Sequence, residues 1–301
     1  MRIVTLLPAA TEMICALGLE EALVGRSHEC DTPPSITNRP VVTSCELDDK
    51  CSSGQIDTAV RSLAQAGRPL YGVDAERLRG LRPDLVVAQE LCDVCAVTPA
   101  QVQEAVQGLD PEPAVLRLGP GLLADVLRDI ERLGEATGRH ARARACREEL
   151  EQRLDVIQRA ATPHRPRVLF LEWLDPAFGA GHWNPELIRR AGGQDVLDTP
   201  PGEHSRVIDE ATLDAVQPDL VFVAACGFTA ERSRREWDAL PDDHAVRRMY
   251  ERSQARLVFA DGNAYFNRPG PRLVDSLELL VEAVRQSVPP STLHTSLKDS
   301  R

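Results

Sequence analysis

A segment of 13 residues occurs twice in this chain of 301 residues, 135 positions apart, and it constrains the fold more than any other feature. The first copy, 74–86, reads DAERLRGLRPDLV, and the second, 209–221, reads DEATLDAVQPDLV. Each copy predicts a short helix that an aspartate caps and a proline ends, followed by a buried parallel strand. Helix–strand units recur in any α/β protein, but the shared register favours a true duplication. We therefore expect two α/β lobes of similar architecture.

Between the two copies, residues 121–161 predict a long helical stretch. Leucine, isoleucine and valine recur at helical spacing from Leu122 to Ile157, and no proline interrupts them. Gly134 and Gly138 allow a bend or a break, because glycine weakens a helix interior. A continuous helix of this length spans about 60 Å, which suits a strut that crosses both lobes. The predicted organisation is an N-terminal lobe at 1–120, a linking helix at 121–162, a C-terminal lobe at 163–288 and a disordered tail at 289–301.

Charge and hydropathy exclude several classes of protein. The chain has 46 acidic and 35 basic residues and a formal net charge of −11, which argues against binding to nucleic acid or to anionic lipid. No stretch approaches 18 apolar residues, so no transmembrane helix is predicted. The chain starts on a predicted strand rather than an export signal, which predicts a cytoplasmic protein, or a periplasmic one if the sequence is a trimmed mature form. Hydrolase, zinc-protease and phosphate-loop motifs are missing, which favours binding over catalysis without deciding the question.

Five of the eight cysteines follow predicted strands, at 30, 45, 92, 95 and 226. Cys92 and Cys95 have a spacing at which two thiolates can bind one soft metal ion such as zinc or iron. Cys30 and His28 are the candidates for the remaining ligands if the loops meet. A redox pair, or thiols with only a structural role, are the alternatives.

Two tryptophans lie in one segment of the C-terminal half, although aromatic residues make up only 4% of the chain. Trp173 and Trp183 offer flat faces on which a planar macrocycle such as a corrin can be buried. The alternative is that one of them packs beneath its loop as part of the core. His182 is a candidate axial ligand to cobalt or iron, or an ordinary hydrogen-bonding residue.

The segment 261–271 follows the last predicted strand and precedes the last helix. Asn263, Tyr265 and Arg268 can contact the amide or phosphate groups of a cobalamin, and arginine matches phosphate through its planar fork. A rigid loop that only caps the helix is the alternative. At the other end of the chain, residues 8–11 open the first helix, where backbone N–H groups can meet a polar ligand or serve as an ordinary helix start.

Three features together resemble a known family: residues 2–19 with 23–26, the paired Pro-Asp-Leu-Val units, and the long helical stretch. They are similar to the cobalamin- and siderophore-type substrate-binding proteins of ABC importers, most of all the cobalamin-binding branch, over residues 1–287. The resemblance implies an α/β fold of two Rossmann-like lobes joined by a long backbone helix, with a ligand held in a cleft between the lobes and no catalysis. It also implies cobalamin or another corrinoid as the ligand and an importer permease as a partner.

The predicted ligand-binding residues share a position after a strand, the edge at which open α/β sheets bind ligands. They are Pro8, Ala9, Thr11, His28, Glu29, Trp173, His182, Trp183, Cys226, Phe228, Asn263, Tyr265, Phe266 and Arg268. The candidate metal ligands are Cys92, Cys95, Cys30 and His28. The alternative function is a cytoplasmic protein of metal or thiol chemistry on the same scaffold, a class that includes enzymes.

Overall fold

Two compact units make up the chain. The computed structural model describes residues 1–47, 50–90, 97–159 and 164–287. Unit 1 comprises Met1–Glu151 together with Pro269–Pro271, and unit 2 comprises Gln152–Arg268 and the chain from Arg272 onwards. Each unit has its own sheet of mostly parallel strands with helices between them along the chain, so the predicted α/β fold with two lobes is confirmed.

Unit 1 consists of a parallel sheet, a separate strand pair and helices. The strands are β1 (Ile3–Thr5), β2 (Leu23–Arg26), β3 (Thr43–Cys45), β4 (Tyr71–Val73), β5 (Leu85–Gln89) and β6 (Ala114–Leu118). The helices are α1 (Pro8–Ala16), α2 (Ser53–Gln65), α3 (Ala75–Leu81), α4 (Pro99–Val106) and α5 (Leu123–Ala136). The parallel sheet has the order β2-β1-β5-β6, and β3 pairs with β4 in antiparallel fashion. In β5, Leu85 to Ala88 are each at most 2% exposed, as expected for a parallel strand covered on both faces.

Unit 2 repeats the four-stranded parallel sheet with one added antiparallel strand, and its described residues form no counterpart of the β3–β4 pair. Helix α6 (His140–Arg159) leads into it from unit 1. The strands are β7 (Arg167–Leu174), β8 (Ala177–Gly179), β9 (Gln194–Asp195), β10 (Leu220–Val223) and β11 (Arg256–Phe259). The helices are α7 (Asn184–Arg190), α8 (Glu210–Ala215), α9 (Ala230–Ala239), α10 (Ala245–Ser253) and α11 (Leu273–Gln286). Parallel pairings link β9, β7, β10 and β11 in that order, and β8 lies antiparallel beside β7.

The repeated segments occupy equivalent places in the two units. The first copy forms α3 and β5, and β5 pairs with the first strand of its sheet, β1. The second copy forms α8 and β10, and β10 pairs in the same way with β7. Asp74 and Asp209 cap their helices by accepting hydrogen bonds from backbone N–H groups at 2.9 Å and 2.7 Å, as the sequence predicts. The shared placement supports a duplication.

The aspartate of each Pro-Asp pair caps the start of the neighbouring strand. Asp84 accepts a hydrogen bond from the backbone N–H of Arg2 at 2.6 Å, and Asp219 accepts one from that of Arg167 at 2.7 Å. In the reverse direction, each aspartate N–H donates to the carbonyl of the same arginine at 2.8 Å. The motif therefore joins a helix end to the first strand of its sheet, which the sequence pattern alone does not reveal.

The helical stretch between the repeats is two helices rather than one. Helix α5 ends at Ala136 and α6 begins at His140, so the continuous 40-residue strut is corrected to a broken one. Gly138 lies in the left-handed region with φ of 68°, which L-residues with a side chain avoid. Gly134 has a different role: a Cβ atom there would overlap with that of Ala143, so its lack of a side chain lets α5 and α6 approach closely.

No helix among the described residues is long and apolar enough to cross a membrane. No disulfide bond joins the cysteines in the same residues, which are Cys15, Cys30, Cys45, Cys51, Cys146 and Cys226.

Candidate functional site

The loops that follow the parallel strands form a carboxyl edge in each sheet, and each edge is a candidate site in its own unit. In unit 1 these loops start after β1, β2 and β5. In unit 2 they start after the β7–β8 hairpin, β10 and β11.

At the carboxyl edge of unit 1, hydroxyl groups connect the first two loops. The hydroxyl oxygens of Thr5 and Thr11 lie 2.6 Å apart, and Thr11 donates to the Cys30 thiol sulfur at 3.0 Å. Thr11 and Cys30 are both almost fully buried. Pro8 is half-buried and Ala9 is buried at the start of α1. Of this predicted set, Thr11 and Cys30 hold the loops together and offer little surface to a ligand.

His28 is the half-buried imidazole of this edge. Its Nδ1 atom lies 2.6 Å from the Thr43 hydroxyl, and its ring centroid lies 5.6 Å from that of Tyr71. Its Nε2 atom is 3.4 Å from the carboxylate of Glu29, which is exposed. Burial lowers the pKa of His28. A neutral imidazole with one nitrogen already paired is suited to orienting a ligand.

The metal site predicted from the sequence is not assembled by the described residues. Cys92 and Cys95 lie in 91–96, outside the described residues. The Cys30 sulfur accepts from Thr11, while His28 lies against a different set of partners. No group of three or more His, Cys, Asp or Glu side chains placed to hold a metal ion occurs within the part of the chain that the structure describes. This site stays a prediction.

Glu172 organises the carboxyl edge of unit 2. Its buried carboxylate accepts hydrogen bonds from the Gly181 N–H at 2.8 Å, from the Asn184 side-chain amide at 2.7 Å and from the Ser205 hydroxyl. Burial raises the pKa of Glu172, and the three donors oppose that shift. The carboxylate thereby connects β7 with two loop segments, at separations of 9 to 33 residues along the chain.

His182 has an unusual backbone in this loop. Its φ of 53° lies in the left-handed region, in which asparagine, aspartate and histidine are the commonest residues after glycine. Its ring packs edge-on against His204 with the centroids 4.8 Å apart. The Nδ1 atom is buried and has no hydrogen-bond partner among the described residues. Burial, and then the neighbouring His204, lower the pKa of His182, which keeps the imidazole neutral.

Trp183 and Phe266 belong to the core of unit 2. Trp183 is 4% exposed, and its indole N–H donates to the carbonyl of Phe266 at 2.8 Å. Phe266 is fully buried and packs against Phe170 and Phe222 at centroid distances of 5.5 Å and 5.1 Å. These two rings are therefore occupied by packing, which corresponds to the alternative in which one tryptophan lies beneath its loop.

Trp173 remains at the surface of the same edge. The indole is half-buried, rests on Phe228 at a centroid distance of 4.9 Å and donates to the Asp175 carbonyl at 3.1 Å. Phe228 is buried beneath it, with the Arg232 guanidinium 3.7 Å from its ring centroid. Cys226, in the same loop as Phe228, is exposed. Together these residues form a small supported aromatic surface, which we call the Trp173 platform.

The loop after β11 is held to the loop after β10. The backbone N–H of Asn263 donates to the Phe228 carbonyl at 3.1 Å, and its side-chain oxygen accepts from Arg268 at 3.0 Å. Arg268 is only 5% exposed, so its guanidinium is directed into the protein and not displayed as a surface grip. Tyr265 is half-buried, with the Arg272 guanidinium 5.6 Å from its ring centroid.

Sequence reasoning missed the partners that fix these loops. The predicted site residues do not include Glu172, Ser205 and His204. In the structure Glu172 accepts hydrogen bonds from Gly181 and Ser205, and His204 packs against the ring of His182. Their sequence separations from His182 carry no periodic signal. A buried glutamate at the end of an otherwise apolar strand, VLFLEWL, is the one feature that could have pointed to Glu172.

Comparison with known proteins places this chain among binding proteins. It is similar to the vitamin B12-binding protein of Vibrio cholerae serotype O1, with 22% identity over 92% of this chain and 86% of that protein. It is also similar to the cobalamin-binding protein of Halobacterium salinarum, with 25% identity over 94% of this chain and 69% of that protein. Among solved structures, the periplasmic heme-binding protein of Roseiflexus sp. RS-1 in apo form has a TM-score of 0.69 at 21% identity, covering 95% of this chain and 98% of that one. A family model described as periplasmic binding protein matches residues 3–250, and the chain therefore belongs to the periplasmic binding protein family.

Proposed function

We propose that this protein is a non-catalytic binding protein for a corrinoid, with cobalamin as the first candidate. The observation that carries the proposal is the match, over more than nine tenths of this chain, to proteins named as vitamin B12-binding or cobalamin-binding. An importer permease as the partner that receives the ligand is part of the same proposal.

The surfaces at the two carboxyl edges support a ligand of this kind. The Trp173 platform offers a flat apolar face of the type that buries an aromatic or macrocyclic ring. Half-buried Tyr265 and His28 add amphipathic rings whose polar atoms can pair with the amide groups of a corrinoid. We propose Trp173 and Tyr265 of unit 2 and His28 of unit 1 as direct contacts. Glu29 follows His28 in the chain, Cys226 lies in the loop of Phe228, and both are exposed. Arg268 serves to hold Asn263 in place.

The alternative of thiol chemistry receives less support. Burial raises the pKa of the Cys15 thiol to about 12 and also raises the pKa of the Cys45 and Cys146 thiols. A reactive thiol requires a lowered pKa, because the thiolate is the nucleophile. Of the residues that this alternative invokes, Cys92 and Cys95 lie outside the described residues, Cys30 is buried against Thr11, and His28 pairs with Thr43.

Titration of the purified chain with cyanocobalamin tests the proposal. We expect saturable binding at micromolar concentration or below, seen as a shift in the corrin absorbance and as heat by calorimetry. A parallel titration with hemin tests the alternative ligand. Binding of hemin without binding of cobalamin would contradict the corrinoid assignment. If the chain binds neither ligand, the proposal that it binds a metal-chelate macrocycle would also be contradicted.

Replacement of Trp173 tests the proposed contact surface. We expect Trp173→Leu to weaken cobalamin binding by about tenfold, since an aromatic contact contributes about 1.5 kcal/mol beyond the area that it buries. Tyr250→Leu is the matched control, because Tyr250 is a half-buried aromatic residue that packs on the core residue Trp237. Equal affinity of the Trp173 variant and the parent would exclude the platform as a contact.

A further inference from the structure

We infer that His182 and His204 of unit 2 form a two-imidazole site for a divalent transition-metal ion, with Zn²⁺ as the representative. This site goes beyond corrinoid binding and does not depend on it.

The spacing of the two rings fits a shared metal ion. Their centroids are 4.8 Å apart and their planes are inclined by 82°. Two imidazoles that bind one tetrahedral ion at a metal–nitrogen distance of about 2.0 Å have centroids about 5 Å apart. The rings are thus already close to the separation that coordination requires.

Hydrogen bonds hold the two histidine-bearing segments together. The His182 N–H donates to the Glu203 carbonyl at 2.5 Å, and the Gly202 N–H donates to the His182 carbonyl at 2.7 Å. The Glu172 carboxylate accepts from both Gly181 and Ser205, the residues next to the histidines. A Cβ atom on Gly181 would overlap with the Ser205 backbone, so only glycine permits this close approach. The pair is therefore preorganised, which lowers the cost of binding an ion.

The side chains themselves are not committed elsewhere. The Nδ1 atom of His182 lacks a hydrogen-bond partner among the described residues, and His204 is exposed. Imidazole nitrogen is a preferred ligand of zinc, copper and nickel ions.

The predicted site is weak and open. Within the described residues no third His, Cys, Asp or Glu completes a set of metal ligands, so water fills the other coordination positions. We therefore expect micromolar affinity and rapid exchange, as suits a sensor or a transient metal contact more than a structural site.

A Zn²⁺ titration of the full chain carrying Cys92→Ser and Cys95→Ser tests this inference, because the substitutions remove the thiol pair as a competing ligand. Competition with a chromophoric chelator gives the affinity, and NMR of ¹⁵N-histidine-labelled protein shows which ring nitrogens shift. We expect two histidines to respond. His182→Asn and His204→Asn, each in that background, should weaken binding by about tenfold or more.

Matched variants distinguish Zn²⁺ binding by the histidine pair from Zn²⁺ binding elsewhere on the chain. Asparagine tolerates the left-handed backbone at position 182, and His204 is exposed, so both variants should fold. His140→Asn, at an exposed position at the start of α6, should bind Zn²⁺ like the parent. Failure of the parent to bind Zn²⁺, or binding by either site variant that is as tight as that of the parent, would overturn the inference.

Discussion

Two buried carboxylates in this chain have very different surroundings. Glu172 accepts three hydrogen bonds from groups that need an acceptor. Asp129 in α5 is 4% exposed and accepts one hydrogen bond from Arg132 at 2.7 Å, while its Oδ2 atom has no partner among the described residues. Burial raises the pKa of both carboxyl groups; three neutral donors oppose the shift at Glu172, and at Asp129 the ion pair with Arg132 opposes it but leaves one carboxylate oxygen unpaired. Opposite effects on stability should follow from neutralising them.

We expect Asp129→Asn to raise the free energy of unfolding at pH 7 by about 1 kcal/mol, because it removes a poorly solvated charge. The pKa of Asp129 is raised in the folded state, so the cost of its charge is fully present above that pKa and disappears as pH falls through it. The gain should therefore be largest at neutral pH and shrink in acid. Urea unfolding at several pH values measures it, with the exposed Asp155→Asn as control. A gain that grows as the pH falls would contradict the assignment.

We expect Glu172→Gln to lower the free energy of unfolding by about 1–3 kcal/mol, because the new amide N–H₂ faces donors and leaves buried groups unpaired. Urea unfolding of the variant measures the loss. Glu251→Gln, at an exposed position on α10, should change little. Unchanged stability at position 172 would show that the carboxylate does not organise its loop.

At the scale of elements, the Pro-Asp motif connects the end of one helix with the start of the adjacent strand in both units. We expect Asp84→Ala and Asp219→Ala each to lower the free energy of unfolding by about 1 kcal/mol, because each removes a hydrogen bond to the first strand of its sheet. Denaturant unfolding of the two variants provides the comparison. Asp242→Ala, at an almost fully exposed carboxylate, is the control. A large effect in one unit and none in the other would argue against equivalent roles.

The break between α5 and α6 depends on a left-handed residue. We expect Gly138→Ala to destabilise the protein by about 1 kcal/mol, since φ of 68° is costly for a residue with a Cβ atom. Gly80→Ala in α3 is a control that should have the opposite effect. A Cβ atom there meets nothing within 4 Å, so alanine should raise the free energy of unfolding by up to about 1 kcal/mol. Thermal unfolding of both variants measures the contrast. Stabilisation by Gly138→Ala would mean that the two helices can join.

At the scale of the whole molecule, the sequence predicts what depends on local pattern. The repeat, the capped helices and the buried strands β5 and β10 follow from residue type and spacing, and the structure confirms them. The family resemblance is likewise confirmed by the match to residues 3–250. These features are encoded within about a dozen residues each, so tertiary contacts are not needed to recognise them.

Features that depend on distant partners could not be predicted. Contacts with distant residues decide which of Trp173 and Trp183 is buried. For Trp183 these contacts include the hydrogen bond to the Phe266 carbonyl, 83 residues away. The pairing of His182 with His204 likewise requires the folded loop. The glycines at 134 and 138 signalled a bend or a break, but not which of them adopts the left-handed conformation.

The path of the chain through the two units carries a last consequence. Pro269–Pro271 belongs to unit 1, although the residues on either side of it belong to unit 2. A Cβ atom on Gly270 would lie only 3.4 Å from the Cα atom of Ala9, so this short segment lies against α1. During synthesis on the ribosome, the N-terminal unit thus lacks part of its own covering until Pro269–Pro271 has been translated, after most of unit 2. Its maturation is tied to the completion of the unit that is made after it.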